Sequence, residues 1–373
     1  MTNIILKNTP KDYSVYVHFP FCKARCAYCA FCSFTDFSKA EQYFDRLVTE
    51  VEGFLPPAEG KAVTMYWGGG TPSCLPIACL ERAYRAIAEK LPLNLSEFTV
   101  ECNPESADRD KLCFFKDIGV NRLSIGLQSV NDDTLKKIGR LHSYKQFLQT
   151  VEAALATGFG NLSADLILGL PETRDMFLRS VEQVSALPLS HVSVYALELA
   201  KENSPLARQV AAYGYSDDDL ADMYDACVQM LEKKEFLRYE ISNFAKRGRE
   251  CRHNLCYWQE RRYCAFGASA SGFMGNVRYS NASTLQGYLD GRPPFCEEIS
   301  PREQAKEFVM LALRLTRGFA LEEFSLRFGA DFFETFPNAE GLLAQGFLQM
   351  AGGRVFIPAS KFYVSNSVLA ELL

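Results

Sequence analysis

Histidine and tryptophan are scarce in this sequence, four and two among 373 residues. Charge of one sign does not dominate either: Lys and Arg total 40 against 45 Asp and Glu, a net of −5. With no basic excess, nucleic acid is not expected as a partner. No apolar run reaches the roughly 18 residues that a membrane helix needs, so no membrane span is expected. The opening MTNIILKNTPKDYS lacks a basic segment followed by an apolar one, the mark of a secretory signal, and a cytoplasmic location is expected. No fixed-period repeat and no low-complexity tract is present, which excludes solenoid and collagen-like architectures. Apolar residues make up 48% and charged residues 23%, the balance of a globular protein and not of a disordered one.

Cysteine, by contrast, is plentiful at 13. The number is odd, and a chain this long does not need disulfide staples. Scattered cysteines read as small core residues, but a cluster in a reducing compartment reads as a metal site. At roughly 150 residues per domain the length allows two or three domains, or one α/β barrel with an appendage.

Short apolar runs at 15–19, 62–67, 97–102, 122–126, 164–168 and 192–197 alternate with amphipathic stretches such as 41–54 and 144–156. Six strand–helix units imply a parallel sheet with right-handed crossovers. Such a sheet can close partly, as an incomplete version of the eightfold barrel, with ligands at the C-terminal ends of its strands. A helix is expected over 217–235, opened by Asp217, Asp218 and Asp219. Residues 238–281 are mixed. Near Pro301 the pattern changes: helices at 304–317 and 321–328, then a hairpin of 347–350 and 354–357 around Gly352-Gly353. The expected fold class is therefore α/β. It comprises a partial (β/α)6 barrel over 1–210, an extension over 211–299 and a small α+β, winged-helix-like module over 300–373.

Directly after the first run, Cys22, Cys26 and Cys29 follow one another in CxxxCxxC spacing. Three thiolates this close can wrap one face of an iron–sulfur cube, one iron each, leaving the fourth iron open. Zinc ordinarily takes four ligands, often as two CxxC pairs, and three unconnected core cysteines are the bland alternative. Cys32 forms a further CxxC with Cys29. It could be a fourth ligand, a redox neighbour or a plain core residue, and it is expected not to be a ligand. Gly68-Gly69-Gly70-Thr71-Pro72 follows the second run, where glycines let a backbone approach a ligand or simply turn. Glu101 ends the third strand, Gln128 follows the fourth, Arg140 lies beyond it and Asp165 sits on the fifth. Each alone could be a cap or a solvated loop residue. Together they bring two carboxylates, an amide and a guanidinium to one barrel mouth, a set suited to a zwitterion carrying a ribose.

The CxxxCxYC loop, preceded by Tyr16-Val17-His18-Phe19-Pro20, resembles the radical S-adenosylmethionine (SAM) superfamily. The resemblance implies a [4Fe–4S] cluster on Cys22, Cys26 and Cys29. It also implies SAM on the open iron, with reductive cleavage to a 5′-deoxyadenosyl radical. It assigns Tyr16, Tyr28, Gly68, Gly69, Gly70, Thr71, Glu101, Gln128, Arg140 and Asp165 to SAM binding. The stretches from Gly119 to Ser129, Asp165 to Pro171 and Arg238 to Ala245 are similar to the coproporphyrinogen III oxidase-like group. That group holds the oxygen-independent oxidase, which turns two propionates into vinyl groups, and the heme chaperone HemW branch. Two features favour the chaperone branch. Only 21 residues precede Cys22, where the oxidase carries a longer extension, and His253-Asn254-Leu255-Cys256-Tyr257-Trp258 matches the HNxxYW motif of that branch.

In that branch the motif histidine is implicated in heme binding, so heme is expected at His253, Asn254, Tyr257 and Trp258, for delivery to an acceptor hemoprotein. The chemistry of the segment agrees. Residues 246–262 hold six basic and two acidic side chains, a local net of +4. Basic groups pair with propionates, aromatic faces stack on a macrocycle and imidazole ligates iron. A basic surface loop with a satisfied histidine is the bland alternative. The roles of Cys251 and Cys256 stay open, as does a homodimer. His18 is expected to pack near the cluster, His142 near the SAM pocket, and His191 to have no special role.

Two departures from the branch stand out. Ala30 and Cys32 occupy positions that usually hold aspartate and asparagine, and Gly267-Ala268-Ser269-Ala270-Ser271 lacks a usual histidine. The rival reading is SAM-dependent chemistry on a porphyrin, by propionate decarboxylation or by radical methylation. A plain iron–sulfur electron-transfer protein, without SAM, is the weaker third.

Overall fold

The computed structural model describes residues 11–199 and 204–373. The first ten residues, part of the stretch without a signal segment, and residues 200–203 lie outside the described residues. All six expected strands form: β1 (Tyr13–Phe19), β2 (Ala62–Gly69), β3 (Leu93–Cys102), β4 (Arg122–Gln128), β5 (Leu162–Leu168) and β6 (His191–Ala196). They pair in sequence order and in parallel. A strand repeats every two residues, so alternate side chains face opposite sides of the sheet. Val15, Val17 and Phe19, Met65 and Trp67, Phe98 and Val100, and Leu123, Ile125 and Leu127 are all buried in the main core. The residues between them are polar and meet one another on the concave side. Thr64 Oγ1 donates to Ser14 Oγ at 2.8 Å, Tyr66 OH to Glu101 Oε1 at 2.8 Å, and Ser124 Oγ to Asp165 Oδ1 at 3.3 Å. The sheet thus wraps a polar lumen.

The mixed segment proves to be the sheet's two flanks. β7 (Leu237–Arg238) and β8 (Asn243–Ala245) add antiparallel strands beyond β6. On the other side β9 (Tyr263–Phe266) runs parallel to β1, and β10 (Ser271–Met274), β11 (Val277–Ser280) and β12 (Phe295–Glu298) continue antiparallel. Among the described residues the sheet has twelve strands, ordered β12-β11-β10-β9-β1-β2-β3-β4-β5-β6-β8-β7. Strands of two to four residues carry too little alternation to be read locally, and pairs such as Ser14 with Tyr263 are remote in sequence.

Capping boxes fix where two helices begin, and both helices end earlier than expected. Ser216 and Asp219 form a capping box for a helix that stops at Glu232, short of 235. Ser300 and Glu303 form another that starts the next long helix at Pro301, and it ends at Ala312, short of 317. The C-terminal residues build a second core around Phe308, Phe319, Phe324 and Phe332. The expected hairpin, β14 (Gln349–Ala351) with β15 (Arg354–Phe356), gains a third strand, β13 (Phe319–Ala320).

A short helix, Arg252–Trp258, plugs the N-terminal end of the lumen and forms its floor. Glu97 of β3, 3% exposed, accepts from the amides of Arg252 at 2.9 Å and His253 at 3.0 Å, and from the Cys251 thiol at 3.3 Å. At the helix's other end Arg327 of the C-terminal module donates to the carbonyls of Gln259 at 3.2 Å and Glu260 at 2.9 Å. It also pairs with the Glu260 carboxylate at 2.6 Å. A carboxylate at the helix's amino end and a guanidinium at its carboxyl end match the sign of the helix dipole. Glu97→Ala strands three buried donors and is expected to cost about 3 kcal/mol or more. Urea unfolding followed by Trp67 and Trp258 fluorescence checks it, and a change under about 1 kcal/mol would refute this account of the floor.

Candidate functional site

The mouth of the lumen is built from the loop between β1 and the helix Ala40–Gly53. This loop is pinned by Cys22 N–H to Phe34 O at 3.0 Å and Ala27 N–H to Ile138 O at 2.9 Å. Cys22, Cys26 and Cys29 are all partly buried free thiols. The Cys22 sulfur lies 3.4 Å from Thr71 Oγ1, and Arg140 Nη1 donates to the Cys26 sulfur at 3.7 Å. One residue joins these two contacts: Asn103 Nδ2 donates to Thr71 Oγ1 at 2.9 Å, and Asn103 Oδ1 accepts from Arg140 Nη2 at 2.7 Å. Tyr28, beside Arg140, hydrogen-bonds Cys26, and its hydroxyl titrates far above the usual range because it is buried.

The donor set fits an iron–sulfur cube. It is all sulfur, it comes from one loop, and a guanidinium stands where thiolate charge would develop. Among the described residues no group of three His, Cys, Asp or Glu side chains gathers as a single ion requires. A cube instead gives each thiolate its own iron.

The glycine motif packs against the first and third strands. Gly69 has φ +100°, and a Cβ there would lie 2.3 Å from the His18 ring. Gly70 is equally tight, its Cβ position being 2.5 Å from Phe19 O. The amides of the motif are used within the protein: Gly69 N–H goes to Glu101 Oε2 at 3.1 Å, Gly70 N–H to Phe19 O at 2.9 Å and Thr71 N–H to Phe21 O at 2.8 Å. Burial raises the Glu101 carboxyl to about 7, helped by nearby Asp165, against the hydrogen bond from Tyr66. Burial also raises Asp165. Gln128 ends β4 at φ 71°, a left-handed conformation that costs a non-glycine residue free energy. Its Oε1 is buried without a partner, as is Arg140 Nε. Strain and orphaned polar atoms thus coincide at the mouth. Tyr16 OH bonds His18 Nδ1 at 3.0 Å on the lumen side.

The floor motif is packed inward. His253 is 1% exposed, with Nδ1 2.9 Å from Thr64 Oγ1 and Nε2 2.9 Å from Tyr257 OH. Its ring stacks on Tyr66 at 5.1 Å. In this conformation neither nitrogen is free for iron. Tyr257 is no open face either, since it packs edge-on against His253 and Tyr263. Asn254 and Trp258 are half-buried, and the Trp258 Nε1 is buried without a partner. Helical spacing explains this packing: His253 and Tyr257, four apart, share the face turned into the lumen. Cys251 is held by Glu97.

The Cys32 thiol donates to Ser283 O at 3.1 Å, on the β11 flank. His18 also leans that way, with Nε2 2.9 Å from Cys32 O. His142 lies 3.3 Å from Arg140 Nη2, beside the mouth as expected. His191 has more to do than expected, bridging Ser163 Oγ at 2.8 Å and Tyr239 OH at 2.9 Å.

Three polar residues escaped the sequence reading: Asn103, Glu97 and Arg122. Arg122 is 2% exposed. The signal was there for two of them, because Glu97 and Arg122 stand at alternate positions of apolar strands. Asn103 lies two residues beyond Glu101, outside the strand period.

The comparisons with known proteins agree with one another. The radical SAM superfamily model matches residues 16–184 and the HemN C-terminal domain model residues 299–360. The heme chaperone HemW of Lactococcus lactis is 36% identical, covering 97% of this chain and 98% of its own. That of Escherichia coli is 30% identical, covering 90% and 91%. The mitochondrial radical S-adenosyl methionine domain-containing protein 1 of Bos taurus is 36% identical over 73% of this chain and 64% of its own. The solved coproporphyrinogen III oxidase (HemN) of Escherichia coli superposes with TM-score 0.84 at 20% identity, covering 97% of this chain and 90% of that one. At that identity the likeness shows the fold, a radical SAM α/β sheet with a small C-terminal module.

The two floor histidines yield a pH prediction. Burial, and then the Arg122 charge, pulls His253 down to about 3 and His191 well below its usual value. Both therefore stay neutral in the fold while the unfolded chain protonates them below about pH 6.5. Their contribution to stability is present above that pH and is lost as pH falls toward 3. The limiting slope for two protons is about 2.7 kcal/mol per pH unit. Urea unfolding at pH 7.5, 6.5 and 5.5 is expected to show falling stability, with a shallower fall in His253→Gln. A flat profile contradicts the buried neutral pair.

Proposed function

The chain belongs to the heme chaperone HemW family of the radical SAM superfamily, and on that premise we propose that it binds heme and passes it to an acceptor hemoprotein. The observation that carries this reading is identity to named heme chaperones along almost the whole of both chains. In this reading Cys22, Cys26 and Cys29 hold a [4Fe–4S] cluster, which supplies one iron without a protein ligand for SAM. The SAM ammonium is a pure donor. With the amides of Gly69, Gly70 and Thr71 used within the protein, it would be met by carbonyl oxygens of Gly68, Gly69 or Gly70. Arg140 suits the SAM carboxylate, while Glu101, Asp165 and Gln128 offer acceptors to a ribose, with Tyr16 and Tyr28 flanking.

Heme belongs to the floor segment His253, Asn254, Tyr257 and Trp258. Iron ligation by His253 requires that its bonds to Thr64 and Tyr257 open. Among the described residues no helix is long and apolar enough to cross a membrane. We place the protein in the cytoplasm, meeting its acceptor there or at a membrane surface, and include a homodimer in the proposal.

The second reading is SAM-dependent chemistry on a porphyrin, favoured by the complete set of polar groups at the mouth. One experiment separates the two. The cluster is reconstituted anaerobically and the protein is given SAM, a strong reductant and coproporphyrinogen III, with products followed by mass spectrometry. The chaperone reading expects an unchanged porphyrin, saturable hemin binding in a parallel titration, and recovery of holoprotein when an apo-hemoprotein is added. Loss of two carboxylates, or failure to bind hemin, would sink it.

A further inference from the structure

We infer that the outward side of the floor helix is a carboxylate-binding cleft, and that it takes the propionate-bearing edge of a tetrapyrrole. The inference rests on the heme-handling reading and moves the ligand from the inward face of that helix to the opposite one. A cleft of about 220 Å³ lies at the N-terminal end of the barrel, between the starts of β1 and β2 and the helix Arg252–Trp258. Arg252, Arg261 and Arg262 line one part of it, and Tyr13, Val63 and Leu255 give it an apolar wall. Residues 252, 255 and 259 are spaced by three and four and so share a face, the one turned away from His253 and Tyr257.

Charge identifies the ligand class. Among the described residues none of the three arginines takes part in an ion pair. The one acid lining the cleft, Asp12, accepts the Lys61 amide at 2.9 Å. Arg261 is held in place by its Nε bond to Gln259 Oε1 at 2.7 Å. Arg262 is anchored through Nη2 on the Lys11 carbonyl, which leaves its buried Nε without a partner. Anchored guanidiniums without carboxylates, in a chain of net charge −5, make a local site for an anion.

The apolar wall selects an amphipathic anion over a bare one. The volume lies below the usual range of about 300–1,000 Å³ for pockets that enclose a whole ligand. It therefore suits the edge of a flat molecule, with the rest of the ring outside. Charge pairing of the guanidiniums with carboxylate supplies the affinity.

The test uses the full chain with its cluster reconstituted. Hemin and its dimethyl ester are titrated by absorbance into wild type, Arg252→Glu/Arg261→Glu and Arg252→Lys/Arg261→Lys. Arg262 is left alone because it holds the Lys11 carbonyl. The expected result is hemin affinity at least tenfold weaker in the glutamate variant and largely kept in the lysine variant. The ester should bind weakly and equally in all three. SAM binding at the opposite end of the barrel should not change.

If the glutamate variant does not fold, Arg252→Gln/Arg261→Gln and the salt dependence of wild-type hemin binding replace it, with the same direction expected. Hemin bound equally by wild type and the glutamate variant, or ester bound as tightly as hemin, overturns the cleft while leaving the heme-handling reading standing. Wild type that binds no hemin overturns both.

Discussion

The structure depends on one constraint: the inner face of a parallel sheet, closed off from bulk water, is lined with polar side chains. Parallel strands covered on both faces ordinarily run as continuous apolar segments. Here most of the alternate residues of β1 to β5 are instead polar or glycine, as in Ser14, Tyr16 and His18 or Glu97, Thr99 and Glu101. A polar group in such a place must find a partner within the protein or keep its capacity for a ligand. The hydrogen-bond pattern sorts the lumen into these two kinds. Ser14, Thr64, Tyr66, Ser163 and His191 are satisfied by one another and by Glu101, His253 and Tyr239. Gln128 Oε1 and Arg140 Nε are not, and both belong to the mouth.

The two ends of the lumen use charge in opposite ways. At the floor Glu97 neutralises a helix amino end, while Arg122 and burial hold His191 and His253 neutral. Its carboxylate and its imidazoles are paired inward, so the floor works as a stopper. Its outer surface carries the unpaired arginines. At the mouth the cysteine loop is fastened at two sulfurs through Thr71, Asn103 and Arg140. That fastening couples the loop to β2, β3 and the segment after β4. Since the loop itself is short of regular structure, its geometry is inherited from three neighbouring strands. The C-terminal module reaches the same architecture from below, through Arg327 on Gln259 and Glu260 and through Arg278 paired with Glu307 at 2.5 Å.

Most of the framework could be read without coordinates. Six apolar runs and the amphipathic stretches between them determined the strands, because period-two and period-3.6 patterns are local properties of the chain. The cysteine spacing marked a three-thiol loop, and the polar residues at strand ends marked one mouth of the lumen. The flanking strands β7 to β12 were not legible. Each is two to four residues long, and their partners are chosen by packing against edges that exist only once β1 and β6 are in place.

The sequence by itself determined the cluster loop, the mouth and the family's motifs, because those depend on residue identity at fixed spacing. Only the tertiary structure decided which way each motif faces. His253 reads as a heme contact in a basic segment, and four residues of helical phase turn it inward onto Thr64 and Tyr66. Asn103 carries no signal in the sequence, yet it links the surroundings of two cysteines 4 residues apart. Cys32 could be read several ways from its spacing, and its thiol turns to Ser283, 251 residues away. Orientation of this kind is set by contacts between segments distant in sequence, and no local pattern carries it.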